Sequence, residues 1–254
     1  MGRKELKVQL LRYTPQPEET VALGAKMCYS SVDVDKLKEG VQQKEQGSFI
    51  AKLMEMGHLS PLEHAGFTFA IEGVSRALLA QITRHRIASF SVQSQRYVSE
   101  HSQKNPDGVF DYIVPPRIAA LGEEYLQIYH EQMETIQKWY DFWLAKLAET
   151  GEPAAEDARF VLPNAAETKL IVTMNARELL HFFSLRCCNR AQWEIRELAV
   201  RMLILVKEAA PHIFSQAGPG CLSGPCPEGK FTCGKSKEVR EKFKNLQPMI
   251  IFPR

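Results

Sequence analysis

The stretch NARELLHFFSLR, residues 175 to 186, restricts the possible folds more than any other part of this chain. On a helix, Leu179, Leu180, Phe182, Phe183 and Leu185 cover nearly the whole circumference, so the helix belongs in the middle of a core. Arg177, His181 and Ser184 alone interrupt that apolar surface, in one narrow stripe. Burial of such a stripe is unfavourable unless something polar meets it. Asn175 stands at the N-cap with Glu178 three positions on, close to a capping box, and the preceding TKLIVTM reads as a buried strand.

The same strand-then-helix order occurs earlier. GFTFAIE places Phe67, Phe69 and Ile71 on one face, and Ser75 caps RALLAQITRHR. Leu78, Leu79 and Ile82 form the apolar stripe of that helix, with Gln81, Arg84 and His85 beside it at i, i+3, i+4 spacing. A strand is expected at 6–13 and helices at Glu18–Cys28, at Ser48–Gly57 and at Ala191–Ala210, the last ended by Pro211. A loop at 105–116 precedes a long helix, Arg117–Glu149, whose aromatic residues Tyr125, Tyr129, Tyr140 and Trp143 suit a core or a subunit interface. Few strands, dominant helices and no regular strand–helix alternation indicate an α+β fold, a helix-rich domain around a small antiparallel sheet. The expected organisation is one domain over residues 1–215 and a Cys/Gly/Pro-rich tail over 216–254.

Composition narrows the function. Thirty-two Lys and Arg against thirty Asp and Glu give a formal charge of +2, which disfavours a surface built as a field for nucleic acid. Any anion binding must come from local clusters. No apolar run approaches the roughly 20 residues of a membrane span, and MGRKELKVQL is not followed by a signal-peptide core, so no membrane partner and a cytoplasmic location are expected. The six cysteines then read as thiols.

Several motifs resemble chemistry without its setting. GKFTCGKS, 229–236, satisfies the phosphate-loop spacing, but a Gly/Pro-rich stretch precedes it where a buried strand is required. Cys221, Cys226 and Cys233 have the spacing C-x4-C-x6-C with no fourth ligand nearby, and no metal is expected. Spacing alone leaves open a nucleophilic role for Cys187 or Cys188 beside His181 as base. His58 and His64 in GHLSPLEH are separated by Pro61, which rules out a zinc-helix pair.

The informative cluster is RHRIASFSVQSQRY, 84–97, which concentrates Arg84, His85, Arg86 and Arg96 among hydroxyls and amides. Arginine donates two parallel hydrogen bonds and stays charged, which suits phosphate. If residues 92–97 are extended, Ser94 and Arg96 share a side and can hold one phosphate. No G-x-G-x-x-G occurs, so a dinucleotide would be held by side chains. Pattern alone points to a phosphorylated, nucleotide-like ligand, with a solvated charged face as the plain alternative.

Residues 84–97 resemble, in order and spacing, the R-H-R-x7-S-x-R signature of the flavin-dependent thymidylate synthases. GHLSPLEHAGFTF and NARELLHFFSLRCCNRAQWEI resemble two further segments of that family. The resemblance implies a homotetramer with FAD and dUMP in sites at subunit interfaces. The implied reaction converts dUMP to dTMP, with methylenetetrahydrofolate as one-carbon donor and NADPH as reductant. By the same resemblance FAD would meet Ser60 of a neighbouring subunit, Arg84, His85, Arg86, Asn175, Ala176, Arg177 and His181. The nucleotide would meet Gln81, Ile82, Thr83, Arg84, Gln93, Ser94, Gln95, Arg96, Arg159 and Arg186. Arg186 and His58 are the implied catalytic residues, Arg186 favouring the N3-ionised uracil. Val92 and His181 stand where many members carry an acidic or amide residue and asparagine, respectively.

Overall fold

Ser75 and Asn175 each end a strand and start a helix, and these two junctions organise the fold. Both residues have extended backbones, and each side-chain oxygen accepts a first-turn amide: Leu78 N–H to Ser75 Oγ at 3.0 Å, Glu178 N–H to Asn175 Oδ1 at 2.8 Å. The computed structural model describes residues 2–149 and 154–246. Its elements in order are β1 (Lys7–Tyr13), α1 (Pro17–Met27), α2 (Val34–Gln42), α3 (Gly47–Glu55), β2 (Gly66–Ser75), α4 (Arg76–Ile82), β3 (Ala88–Val92), α5 (Pro116–Ala119), α6 (Glu123–Ala148), α7 (Ala155–Ala158), β4 (Glu167–Asn175), α8 (Ala176–Arg186), α9 (Trp193–Ala209) and α10 (Ser236–Lys244).

The sheet order is β1-β2-β4-β3. Cross-strand pairs fix its direction. Lys7 Nζ meets Glu72 Oε1 at 3.0 Å while Gly66 N–H reaches Thr14 Oγ1 at 2.9 Å, so residue numbers rise along β1 as they fall along β2. Thr68 and Thr173 share a hydroxyl hydrogen bond at 3.0 Å, and Gly73 N–H donates to Glu167 Oε1 at 2.8 Å, which makes β2 and β4 antiparallel as well. Gly73 has φ 70°, and a Cβ there would sit 1.9 Å from the Glu5 carbonyl oxygen. Only glycine fits both conditions.

The chain forms two compact units. One comprises Ile71–Arg84 and Phe90–Ile171 with the N-terminal residues to Lys7. Its core gathers Phe110, Tyr112, Val114, Met133 and Ala166, and a second cluster holds Tyr140, Leu144 and Ala158. The other comprises Val8–Ala70, His85–Ser89 and the chain from Val172 onward. There Phe67, Phe182, Phe183 and Phe214 pack edge to face, with Phe67 and Phe214 at 5.4 Å and Phe183 and Phe214 at 6.0 Å.

The α+β expectation holds, and four differences are instructive. α2 has no counterpart in the sequence reading because it buries only Val41, too little for an apolar period; its one signal is Asp33, which accepts the Lys36 amide at 3.0 Å. The expected helix over 117–149 is divided by Gly122 at φ 108°, so α5 and α6 are separate. The aromatic residues expected together divide between two environments: Tyr140 is fully buried, whereas Tyr125 and Trp143 are exposed. α8 is not apolar all round, since Leu185 is exposed and Glu178 is buried in its place. Beyond 216 the chain is folded as far as the description reaches, with Cys221, Val239 and Phe243 buried; residues 247–254 of the expected tail lie outside the described residues.

Candidate active site

α4 ends one turn earlier than its sequence suggests. Thr83 closes it, its hydroxyl donating to Leu79 O at 2.9 Å, so Arg84 and His85 leave the helix instead of continuing the Gln81 face. His85 is left only 4% exposed, while its neighbours Arg84 and Arg86 stay at the surface. Its Nδ1 lies 3.0 Å from Glu178 Oε1, and Arg186 Nε donates to its Nε2 at 3.0 Å. A guanidinium can only donate, so Nε2 is the acceptor and Nδ1 carries the proton given to Glu178. The imidazole is therefore neutral and its tautomer fixed. Burial lowers the His85 pKa from the ordinary 6.5, opposed by its hydrogen bond to Glu178 and helped by the charge of Arg186. The ring also meets Phe182 edge-on at 4.9 Å and His181 at 5.9 Å.

Beside this chain of groups lies a cavity of about 580 Å³ lined by Leu59, Ile87, Asn175, Arg177, His181 and Ser184. The polar stripe of α8 thus does face something: an open cavity with apolar residues between its polar ones. Asn175 lines this cavity and spends its side-chain oxygen on the helix cap. Arg177 pairs with Glu63 across the cavity rim. Ala176 is fully buried and its N–H is committed to Ala65 O at 2.8 Å, so between Asn175 and Arg177 it acts as an anchor. Ser60 is exposed one residue after Leu59, on the turn that holds Glu63. His58 is exposed after α3, where Gly57 at φ 74° and the His58 N–H to Leu53 O bond at 2.9 Å close the helix in a Schellman pattern.

The remaining expected residues belong to the other unit. Residues 95–97 turn instead of extending: Val98 N–H bonds to Ser94 O at 2.9 Å, and the Ser94 hydroxyl accepts the Arg96 amide at 3.2 Å. Ser94 and Arg96 are thereby brought together by a turn, not by strand alternation. Arg96 Nε meets Glu156 Oε2 at 2.7 Å, and Arg159 Nε donates to the Glu156 carbonyl at 2.9 Å, so Ser94, Arg96 and Arg159 form one cluster. Gln95 lies within the same turn. Gln93 uses its backbone N–H on Lys169 O and its carbonyl on Arg76 Nη2. On α4, Gln81 bonds back to Ala77 O at 3.3 Å, Ile82 is fully buried and Thr83 is exposed. Val92 is half-buried at the end of β3.

Glu178 and Glu156 were not expected at these positions. Glu178 could have been found from its i+3 relation to Asn175, but that spacing signals a capping box equally well. Burial pushes the Cys187 thiol up, which removes it as a nucleophile. GKFTCGKS has no strand before it among the described residues, only turns and the short helical turn Gly229–Phe231.

Residues 9–212 match the family model described as thymidylate synthase complementing protein. The chain is 55% identical over 241 residues to a flavin-dependent thymidylate synthase of Geobacter sulfurreducens, covering 95% of this chain and 99% of that protein. It is 48% identical over 249 residues to one from Clostridium tetani, covering 94% and 97%. To one from Pyrococcus horikoshii it is 42% identical over 247 residues, covering 95% and 98%. With the buried His85, the cavity on the α8 stripe and the arginine cluster all falling inside the matched span, the chain belongs to the flavin-dependent thymidylate synthase family.

Proposed function

We propose that this chain converts dUMP to dTMP as a flavin-dependent enzyme, with methylenetetrahydrofolate as one-carbon donor and NADPH as reductant, working as a cytoplasmic homotetramer. The catalytic residues lie within 1–215, with the cysteine-containing tail outside them. FAD supplies the redox chemistry when bound. The lining of the α8 cavity fits a flavin nucleotide: apolar walls from Leu59, Ile87 and Leu180 suit a planar ring system, and Asn175, Arg177, His181 and Ser184 offer a few fixed polar groups. Ser60, Arg84, His85 and Arg86 complete the proposed cofactor contacts, and His58 lies toward the folate end.

For the nucleotide, Ser94, Gln95, Arg96 and Arg159 take the phosphate, and Gln81, Thr83 and Gln93 contribute polar groups around it. Arg186 takes the pyrimidine. Its guanidinium stabilises negative charge on the ring, and the ring carbon that accepts the one-carbon unit becomes correspondingly nucleophilic. The observation that carries this reading is the Glu178–His85–Arg186 chain. A neutral imidazole held in one tautomer fixes the Arg186 side chain by its Nε. Arg186 is thereby preorganised, which is worth most where charge develops. Exposed apolar residues on α6, including Trp139, Phe142 and Trp143, with Tyr97 and Phe160 elsewhere, supply surface that the proposed tetramer would cover.

The direct test is the absorbance spectrum of the purified protein together with dTMP formation from dUMP, methylenetetrahydrofolate and NADPH. A yellow protein whose flavin band responds to dUMP is expected, and Arg186→Ala should remove turnover while keeping the flavin. A colourless protein that takes up no added FAD overturns the reading.

A further inference from the structure

The sequence places Cys221, Cys226 and Cys233 in a Gly/Pro-rich stretch and offers no neighbouring fourth ligand. The fold supplies one. Cys188, just beyond the C-terminal end of α8, lines the same cavity of about 290 Å³ as those three cysteines. All four are free thiols. We propose that this cavity is an iron–sulfur cluster site with Cys188, Cys221, Cys226 and Cys233 as its ligands.

Tetrahedral zinc draws four sulfurs to about 2.3 Å from one point. Among the described residues no group of three His, Cys, Asp or Glu is gathered closely enough to share a single metal ion. Four thiols that line one cavity, without a group of three that could hold one ion, match the four-cysteine ligation of an iron–sulfur core, whose own atoms fill the space between its ligands.

Two sulfurs already receive N–H donors. Arg190 N–H points to Cys188 Sγ at 3.5 Å, and Asn189 Nδ2 to Cys233 Sγ at 3.8 Å. Such hydrogen bonds to cluster sulfurs are one of the means by which proteins set cluster potential.

The loop also needs a fastener. Between α9 and α10 the chain from Gly218 to Lys235 holds no regular element except the turn Gly229–Phe231, and buries little apolar surface of its own. A segment with so little core of its own is one that a metal or cluster could staple. Arg240 contributes one tie, its Nε donating to Cys221 O at 2.8 Å and its Nη2 to Gly224 O. Gly220 N–H contributes another, reaching Ser184 O at 3.2 Å on the last turn of α8. A cluster bound by Cys188 would close the same joint covalently and steady the end of α8, two residues after Arg186.

The test starts with protein purified without oxygen and reconstituted with ferrous iron and sulfide. Iron and acid-labile sulfide in equal, stoichiometric amounts are expected, and both should fall at least tenfold in Cys226→Ser and Cys233→Ser while FAD content is unchanged. If those variants fail to fold, alkylation of the native wild-type protein read by mass spectrometry decides the matter. The four ligands should be protected and the exposed Cys28 labelled. Stoichiometric zinc without sulfide, iron retained in both folded variants, or four freely alkylated thiols would each overturn the assignment.

Discussion

Arg186 donates its Nε–H to His85 Nε2 at 3.0 Å, and this bond exists only while His85 is neutral. Burial and the Arg186 charge keep the ring neutral, and Glu178 fixes its tautomer by accepting a hydrogen bond from Nδ1–H at 3.0 Å. Glu178→Ala leaves a buried N–H without its acceptor and releases the tautomer, which costs about 1–3 kcal/mol in the fold. Turnover of dUMP should fall on the order of 10- to 100-fold, the usual effect of losing the group that orients a functional histidine. Glu178→Gln, whose amide oxygen can still accept, should recover most of it. Steady-state kinetics alongside flavin content separates positioning from folding: equal losses in both variants, or loss of flavin in step with activity, would contradict the role.

Protonation of His85 should switch the same bond off. The groups around the ring are Glu178, Arg186 and His181, and burial outweighs the carboxylate to lower the pKa from 6.5. A base with a depressed folded-state pKa binds fewer protons than the unfolded chain, so its contribution to stability is present above 6.5 and is lost as pH falls. Activity should therefore show an acid limb with its midpoint below 6.5. Glu178→Gln keeps an acceptor for Nδ1–H but removes the negative charge that raises the pKa, so the limb should move to still lower pH. A limb that moves upward in that variant would refute the assignment to His85.

Gly73 offers a stability prediction independent of chemistry. Its φ of 70° is unfavourable for any other residue, and the new Cβ of Gly73→Ala would lie 1.9 Å from Glu5 O, a backbone atom that can retreat only by displacing the N-terminal segment. The Gly73 amide bond to Glu167 would be strained as well. Destabilisation of about 3 kcal/mol or more is expected from clash and strain together, measured as a lower denaturant midpoint. An unchanged midpoint would mean that the strand end tolerates rearrangement.

Local chemistry made the junctions at Ser75 and Asn175 legible, because a cap needs only the residue and its next turn. The α8 stripe was legible for a similar reason: helical period alone puts Arg177, His181 and Ser184 on one side, and that side lines the cavity. What escaped the sequence is long-range. Glu178 and Arg186 reach His85 across 93 and 101 residues, and no spacing rule encodes such a meeting. Cys188 joins three cysteines of a distant loop in the same way. The end of α4 escaped for a subtler reason, since nothing in RALLAQITRHR forbids another helical turn, and burial of His85 decides against it.

Glu156 occupies the arginine cluster that is proposed to hold the dUMP phosphate. Its carboxylate pairs with Arg96 at 2.7 Å, and both side chains are about half exposed, 50% and 46%. An ion pair in that setting is worth roughly 0–1 kcal/mol, so a phosphate can displace it, yet the nucleotide must bear that cost. Glu156→Ala should accordingly tighten dUMP by about twofold to fivefold, the range this energy allows. Ser94→Ala should act in the opposite direction, because it removes both a hydroxyl for the phosphate and the acceptor that seats the Arg96 amide. Titration of dUMP against the flavin absorbance reads both variants. Weaker binding in Glu156→Ala would mean that the carboxylate orients Arg96 for the phosphate instead of competing with it, and wild-type affinity in Ser94→Ala would remove this cluster from the nucleotide site.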